Sequence, residues 1–301
     1  MSVGAALMRV ASGLVAAGAG ALAYGMAEAT AFTVRRVEVA ILPRGQRPIR
    51  VLHLSDIHLM PYQRRKLEFL STLAGLEPDL VINTGDNISA PGSIDLLADA
   101  WGRLLAVPGV FVFGSNDYTV PRFRNPLRYL VGPSTRRTVP PDSLPVAELR
   151  AMLSSGGWVD LNERRVVLEI DGRPVAFRGT DDAHLDRDDY SRVAGPDEGA
   201  VISVGVTHAP YLRLLDAMTT DGVDLIFAGH THGGQVCVPG VGALVTNCDL
   251  DTDRVKGLSR HMAGGNSAWL HVSAGVGTSP YAPYRVACRP EATLLTLVAR
   301  A

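Results

Sequence analysis

Five short apolar runs in this chain each stop at residues of the kind that hold metal ions. Val51-Leu52-His53-Leu54-Ser55 runs into Asp56-Ile57-His58, and Leu80-Val81-Ile82-Asn83-Thr84-Gly85 runs into Asp86-Asn87. The run from Val110 to Ser115 meets Asn116-Asp117, that from Val201 to Thr207 meets His208, and that from Leu225 to Gly229 meets His230-Thr231-His232. Short β-branched apolar runs read as strands buried on both faces of a largely parallel sheet. Between the first three, Gln63–Leu76 and Ser93–Leu105 carry apolar residues at helical spacing. Strand and helix therefore alternate from Ile49 to Phe113, which predicts βαβ units and an α/β fold. Ligands of such sheets bind beyond the carboxyl ends of the strands, so the five ends are expected to meet at one site.

The pattern breaks at Pro121–Pro145, a stretch rich in proline and arginine without clean periodicity. It reads as a long surface excursion after the third cluster, and long loops in compact domains tend to be functional or disordered. Arg122, Arg124, Arg128, Arg136 and Arg137 make it a candidate clamp for phosphate; an ordinary solvated loop is the alternative. Farther on, Glu148–Ser154 reads as a short helix. Val159-Asp160, Arg165–Ile170 and Val175–Gly179 read as a meander with a hairpin turn at Asp171-Gly172. Gln235–Val238, Trp269–Ser273 and Thr293–Val298 are strand-like.

The N-terminus is different in kind. Val10–Val34 is almost wholly apolar and small, with Arg9 before it and Arg35-Arg36 after it. Its length suits a membrane span of ~20 residues and exceeds a signal-peptide core of ~7–15 residues. Residues 1–34 are therefore expected to anchor the chain in a membrane. A cleaved signal is the alternative, since Ala27-Glu28-Ala29 and Ala29-Thr30-Ala31 resemble small-residue cleavage sites. Residues 35–48 read as a linker or edge strand, and 49–301 as the main domain. Flanking arginines favour a cytoplasmic domain, but large domains cross regardless of such charge, so the side of the membrane is not set.

Composition narrows the function. The net charge of −1 provides no global field for nucleic acid. The chain's 301 residues, 47% of them hydrophobic, suffice for one large domain, expected to be monomeric. Cys237, Cys248 and Cys288 lack CxxC spacing, so they read as buried small hydrophobes, not a disulfide or thiolate framework.

The ligand types then specify the chemistry. Asp56-x-His58 and His230-x-His232 place paired ligands at strand ends, where alternate residues share a face. Asp86 can bridge two cations with its two oxygens; Asn116 offers an amide oxygen and His208 an imidazole. This mix of oxygen and nitrogen without sulfur suits Mn²⁺, Fe or Zn²⁺. Seven ligands exceed one mononuclear centre and match two divalent metal ions. Such a pair, ~3.5–4 Å apart, stabilises attacking and leaving oxygens in phosphoryl displacement. His53 reads as a core or cap histidine, and His261 and His271 as structural or surface residues.

The series Asp56-x-His58, Gly85-Asp86-Asn87, Gly114-Ser115-Asn116-Asp117, His208 and Gly229-His230-Thr231-His232-Gly233-Gly234-Gln235 resembles the calcineurin-like metallophosphoesterases, and the last string resembles their membrane-associated bacterial branch. The resemblance covers about residues 49–298. It implies a four-layer αββα double β-sandwich, here preceded by one N-terminal hydrophobic helix. It also implies one metal on Asp56, His58, Asp86 and His232, and another on Asp86, Asn116, His208 and His230. The family's Gly-Asn-His-Asp/Glu carries a histidine that protonates the leaving group; here Asn116 is followed by Asp117. Three readings are open: Asp117 serves as the acid, His184 reaches in from its loop, or the leaving group needs little protonation. Arg285, after the Gly275–Ser279 loop, is a candidate phosphate ligand or a rim salt bridge. The expected activity is metal-dependent hydrolysis of a phosphorylated small molecule or lipid-linked pyrophosphate. A metal-binding receptor and a nuclease are the alternatives.

Overall fold

The structure, a computed structural model, describes residues 3–123 and 143–301, with side chains from residue 12 onward. Two six-stranded mixed sheets face each other. The first contains β1 (Thr33–Leu42), β2 (Ile49–Leu54), β3 (Leu80–Asn83), β4 (Gly109–Phe111), β5 (Val159–Asp160) and β14 (Glu291–Ala299), in the order β1-β14-β2-β3-β4-β5. Only β14 and β2 are antiparallel neighbours in it. The second contains β6 (Arg164–Ile170), β7 (Arg173–Gly179), β8 (Ile202–Val206), β9 (Leu225–Ala228), β12 (Gly257–Ala263) and β13 (Asn266–Val272), in the order β12-β13-β9-β8-β7-β6. Its inner pairs are parallel and its two outermost pairs antiparallel. A small hairpin, β10 (Cys237–Val238) with β11 (Gly242–Ala243), stands apart.

The apolar runs are continuous because both faces of the central strands are buried. Successive side chains of a strand point to opposite faces. Val51, Leu80, Ile82, Val110 and Val112 thus enter the core between the sheets, with Phe177, Val204, Val206 and Phe227 of the second sheet. Leu52, Leu54, Val81, Phe111 and Phe113 enter the outer core instead. There they meet Leu70 of α2 (Arg64–Thr72), Leu97 and Trp101 of α3 (Ile94–Trp101), and Leu149 and Leu153 of α5 (Val146–Ser155). On the other side, Leu215 and Met218 of α6 (Leu212–Thr220) cover Ile226, Leu270 and Val272. A four-residue helix, α4 (Ser115–Tyr118), follows the third run.

Of the two readings of residues 35–48, the edge strand holds for 35–42, which belong to β1 and are hydrogen-bonded to β14. The structure revises the sequence reading in two other places. The expected meander does not form: β5 pairs in parallel with β4 in the first sheet, whereas β6 and β7 form a hairpin in the second. The expected N-terminal helix is present as α1 (Val3–Glu28). Among the described residues, however, no helix is long and apolar enough to cross a membrane, so the transmembrane span is not borne out. The last turn of α1 is docked on the body. Gly25 accepts the backbone N–H of Arg285 at 2.9 Å, and Glu28 Oε1 accepts that of Cys288 at 2.7 Å.

Candidate metal centre

All seven expected ligands meet at the carboxyl ends of β2, β3, β4, β8 and β9. Asp56, His58, Asp86, His208 and His230 are buried, and His232 is nearly so. Left-handed turns follow β2, β3 and β9. Asp56, His58, Asp86, His230 and His232 all have left-handed φ values, between 47° and 68°. Strain of this sort in residues other than glycine costs on the order of 1–3 kcal/mol each and clusters at functional sites. Crowding makes glycine obligatory at Gly229, where a Cβ would stand 1.8 Å from Ser55 Oγ and 2.5 Å from Asp56 Oδ2.

Donor atoms converge in two overlapping groups, Asp56-His58-His232 and Asp56-Asp86-His208. His58 Nε2 is 3.2 Å from His232 Nε2, and His232 Nε2 is 3.5 Å from Asp56 Oδ1. Asp86 Oδ2 lies between the two halves, 3.4 Å from His58 Nε2 and 3.5 Å from His208 Nε2. His230 Nδ1 is 3.3 Å from His208 Nε2. Metal–nitrogen bonds of ~2.0–2.1 Å place neighbouring ligand atoms at about these separations. The placement of Asp86 is the one a bridging ligand needs.

The protonation pattern also fits cations. His208 Nδ1 donates to Thr84 O at 2.7 Å and His232 Nδ1 to Gly277 O at 3.2 Å, which turns each Nε2 toward the centre. Burial lowers His58 to about 4 and His232 to about 3, so both imidazoles are neutral donors at pH 7. Burial opposes charge on Asp86, but His208 and His58 beside it outweigh burial and hold its carboxyl well below the usual range. Burial likewise opposes charge on His208, and the Asp86 carboxylate reverses that, raising it well above its ordinary value. The Asp86 carboxylate thus demands positive charge at the position a cation would take.

Asp117 has a different place from the one expected of an acid at the mouth. It is fully buried, and its carboxylate accepts the backbone N–H groups of Asp86 (2.7 Å), Asn87 (2.7 Å) and Gly114 (3.0 Å). Burial, then the charge of Asp86, pushes it up to about 7. Both oxygens are nevertheless committed to backbone donors, so Asp117 braces the two loops that carry Asp86 and Asn116. Asn116 is at the centre: its backbone N–H donates to Asp86 Oδ1 and its amide to Asp86 Oδ2, both at 2.7 Å. Laid without a gap on Gly-Asn-His-Asp/Glu, residues 114–117 put Asn116 at the histidine position and Asp117 at the acidic one.

The remaining candidates separate cleanly. His184 is brought in: its ring centroid is 4.7 Å from that of His230, and its Nδ1 is 3.1 Å from the Tyr211 hydroxyl. Arg285 is not on the rim. It is fully buried and donates to the carbonyls of Ala274 (2.7 Å), Gly275 (3.1 Å), Gly277 (2.6 Å) and His232 (3.3 Å), so it organises the loop behind His232 and does not bind substrate. Arg122 is exposed beside Phe123, whose ring meets Tyr281 edge-on at 6.1 Å. Arg124, Arg128, Arg136 and Arg137 lie outside the described residues. His53 and His271 pair in the core through Nδ1 atoms 2.9 Å apart. Sequence reasoning missed Tyr211, and it missed Lys66, whose buried ammonium donates to Ile57 O at 2.6 Å between two ligands. Asp182, which the sequence places either at the site mouth or as a loop cap, is wholly buried just past β7, and its Oδ1 caps the loop by accepting the His184 backbone N–H at 3.2 Å.

Comparison with known proteins agrees with this geometry. The family model described as calcineurin-like phosphoesterase matches residues 49–234. The YpbG protein of Bacillus subtilis is 27% identical over 84% of this chain and 83% of its own length. The metallophosphoesterase YkuE of the same organism is 26% identical over 90% and 86%. The phosphodiesterase YaeI of Escherichia coli is 26% identical over 89% and 88%. With a matching model across most of the chain and the ligand set assembled at the strand ends, this protein belongs to the calcineurin-like phosphoesterase family and is a metallophosphoesterase.

Proposed function

We propose that this enzyme hydrolyses phosphate monoesters, diesters or lipid-linked pyrophosphates, with His184 as the proton donor to the leaving group. The observation that carries the proposal is the 4.7 Å approach of His184 to His230, with Asn116 at the position of the family's histidine. The donor set fits two divalent ions of the Mn, Fe or Zn type: Asp56, His58 and His232 would hold one, His208, His230 and Asn116 the other, and Asp86 would touch both. Such ions supply Lewis-acid polarisation and an activated water for in-line displacement.

The chain's own residues do the rest. As a general acid His184 acts as an imidazolium, so its Nδ1–H donates to the Tyr211 hydroxyl oxygen, 3.1 Å away, and the proton on Nε2 is the one to transfer. The Asp182 carboxylate holds the backbone of His184 in place. A positioned acid contributes ~10²–10⁴-fold to such a step.

The test is a series of aryl and alkyl phosphates of graded leaving-group pKa. The native enzyme should depend weakly on leaving-group pKa, and His184→Gln steeply, with its deficit largest on alkyl esters. Equal losses across the series would reject His184 as the donor.

A further inference from the structure

The hairpin after His232 has no obvious reason to be apolar. It turns at the protein surface, yet Val236, Val238, Val241 and Leu244 project into solvent, with Val241 69% and Leu244 53% exposed. Exposed Phe123 and Tyr281 meet ring to ring, and Ala282, next to Tyr281, accepts the side-chain amide of Gln235 at the base of the hairpin. Exposed apolar residues scattered singly are ordinary, but a contiguous group marks a contact surface.

Backbone bonds place this group beside α1. Val286 donates its N–H to Gln235 O and accepts that of Cys237, which fixes the base of the hairpin. The neighbouring Arg285 donates its N–H to Gly25 of α1, and a Cβ on Gly25 would stand 3.2 Å from Tyr284 Cβ and 3.6 Å from Val286 Cγ2. From Gly25, α1 runs back toward the N-terminus with residues 12–24 exposed throughout. That stretch, Ser12 to Tyr24, holds no charged residue and no polar stripe. A helix that fits a protein groove is apolar on one side only, whereas a helix apolar all round requires an apolar medium on every side.

The base of α1 has the opposite character. Arg65 Nη1 donates to Thr30 Oγ1 at 3.4 Å, and Arg289 Nε donates to Ala31 O at 3.0 Å. Among the described residues neither pairs with a carboxylate. Basic residues at such a junction suit the anionic head groups of a lipid surface.

We infer that α1 and the β10–β11 hairpin form one lipid-docking face, which turns the mouth of the metal centre toward a bilayer and makes lipid-linked phosphoesters its substrates. Immersion of α1 in lipid is sufficient for this; the helix need not cross. The substrate class rests on the phosphoesterase reading above, whereas the docking does not. Gln235, three residues past His232, donates its side-chain amide to Ala282 O at 3.0 Å, so the docking face and the ligand loop are one connected unit.

The test uses the full chain with vesicles of phosphatidylcholine and phosphatidylglycerol. Val241→Cys is labelled with an environment-sensitive fluorophore; the three native thiols are buried and do not compete. Glu169→Cys, exposed at the end of β6 and so at the pole of β7 opposite the metal centre, is the control. Doxyl-labelled lipid should quench the probe at position 241 and leave that at 169 bright. A bright probe at 241 on vesicle-bound protein, or a chain that stays in solution, would overturn the inference. Hydrolysis of a soluble aryl phosphate in the same samples reads the phosphoesterase activity separately. A second variant, Val238→Asp with Val241→Asp, should lose hydrolysis of a lipid phosphate embedded in the vesicles and keep that of the soluble ester. Equal losses on both would also overturn it.

Discussion

The backbone N–H of Asp86 donates to Asp117 Oδ2 at 2.7 Å, so the residue beside Asn116 holds the bridging ligand's loop and does not face substrate. A carboxylate that accepts three backbone N–H groups is a support for the ligands, and losing such support costs about 10–100-fold in metal affinity. Asp117→Ala should therefore weaken cation binding by about that factor and lower the unfolding free energy by a few kcal/mol, because each stranded buried donor costs ~1–3 kcal/mol. Calorimetric titration with Mn²⁺ and urea denaturation check both. Intact stability and affinity with slowed turnover would return Asp117 to the role of acid.

Arg285 yields a prediction of the same form. Its guanidinium is buried among carbonyls, and removing one member of a buried charged network costs ~3–5 kcal/mol. Arg285→Met should be destabilised on that scale and should hold metal less well through loss of order around His232. A phosphate-binding arginine on the rim would instead raise KM and leave stability alone, a contrast that urea denaturation and steady-state kinetics resolve.

Acid should unfold the metal-free protein through buried neutral histidines. Burial lowers His271 to about 3 and holds its partner His53 well below its ordinary value. The unfolded chain therefore binds more protons than the folded one as pH falls from ~6.5 toward 3, so stability is present above that window and lost within it. His53→Leu combined with His271→Leu should flatten the acid limb of a stability–pH curve, measured by urea denaturation in chelator. An unchanged slope would place the acid sensitivity elsewhere.

Lys66 acts in the alkaline range. Burial depresses it to about 7, so the folded protein binds fewer protons than the unfolded chain between ~7 and ~10.4, and stability should rise with pH across that window. Lys66→Met should remove the rise. Comparing urea midpoints at pH 7 and pH 9.5 for both proteins checks this.

The sequence made the strand ends legible because both faces of those strands are buried, which keeps the apolar runs unbroken up to Asp56, Asp86, Asn116, His208 and His230. Spacing paired Asp56 with His58, whose donors do converge, but it also paired His230 with His232, whose donors fall in different halves of the centre. What spacing could not convey was the direction of a side chain at a turn. Asp117 stands beside a ligand motif and Arg285 after the Gly275–Ser279 loop, and both serve the backbone instead of the substrate. The contact of His184 with Tyr211 joins residues 27 positions apart from different strand ends, which no local pattern encodes. The split of β5 from β6 was likewise invisible, since residues 159–179 read as one run of strands whichever sheet each joins.

The shared position of Asp86 is the centre of the account, and metal stoichiometry measured together with hydrolysis tests it most directly. The native chain should bind two divalent ions and hydrolyse an aryl phosphate in proportion to their occupancy, while Asp86→Asn should bind at most one and fall to background. Two bound ions and full hydrolysis in Asp86→Asn, or hydrolysis by a native chain stripped of metal, would contradict it.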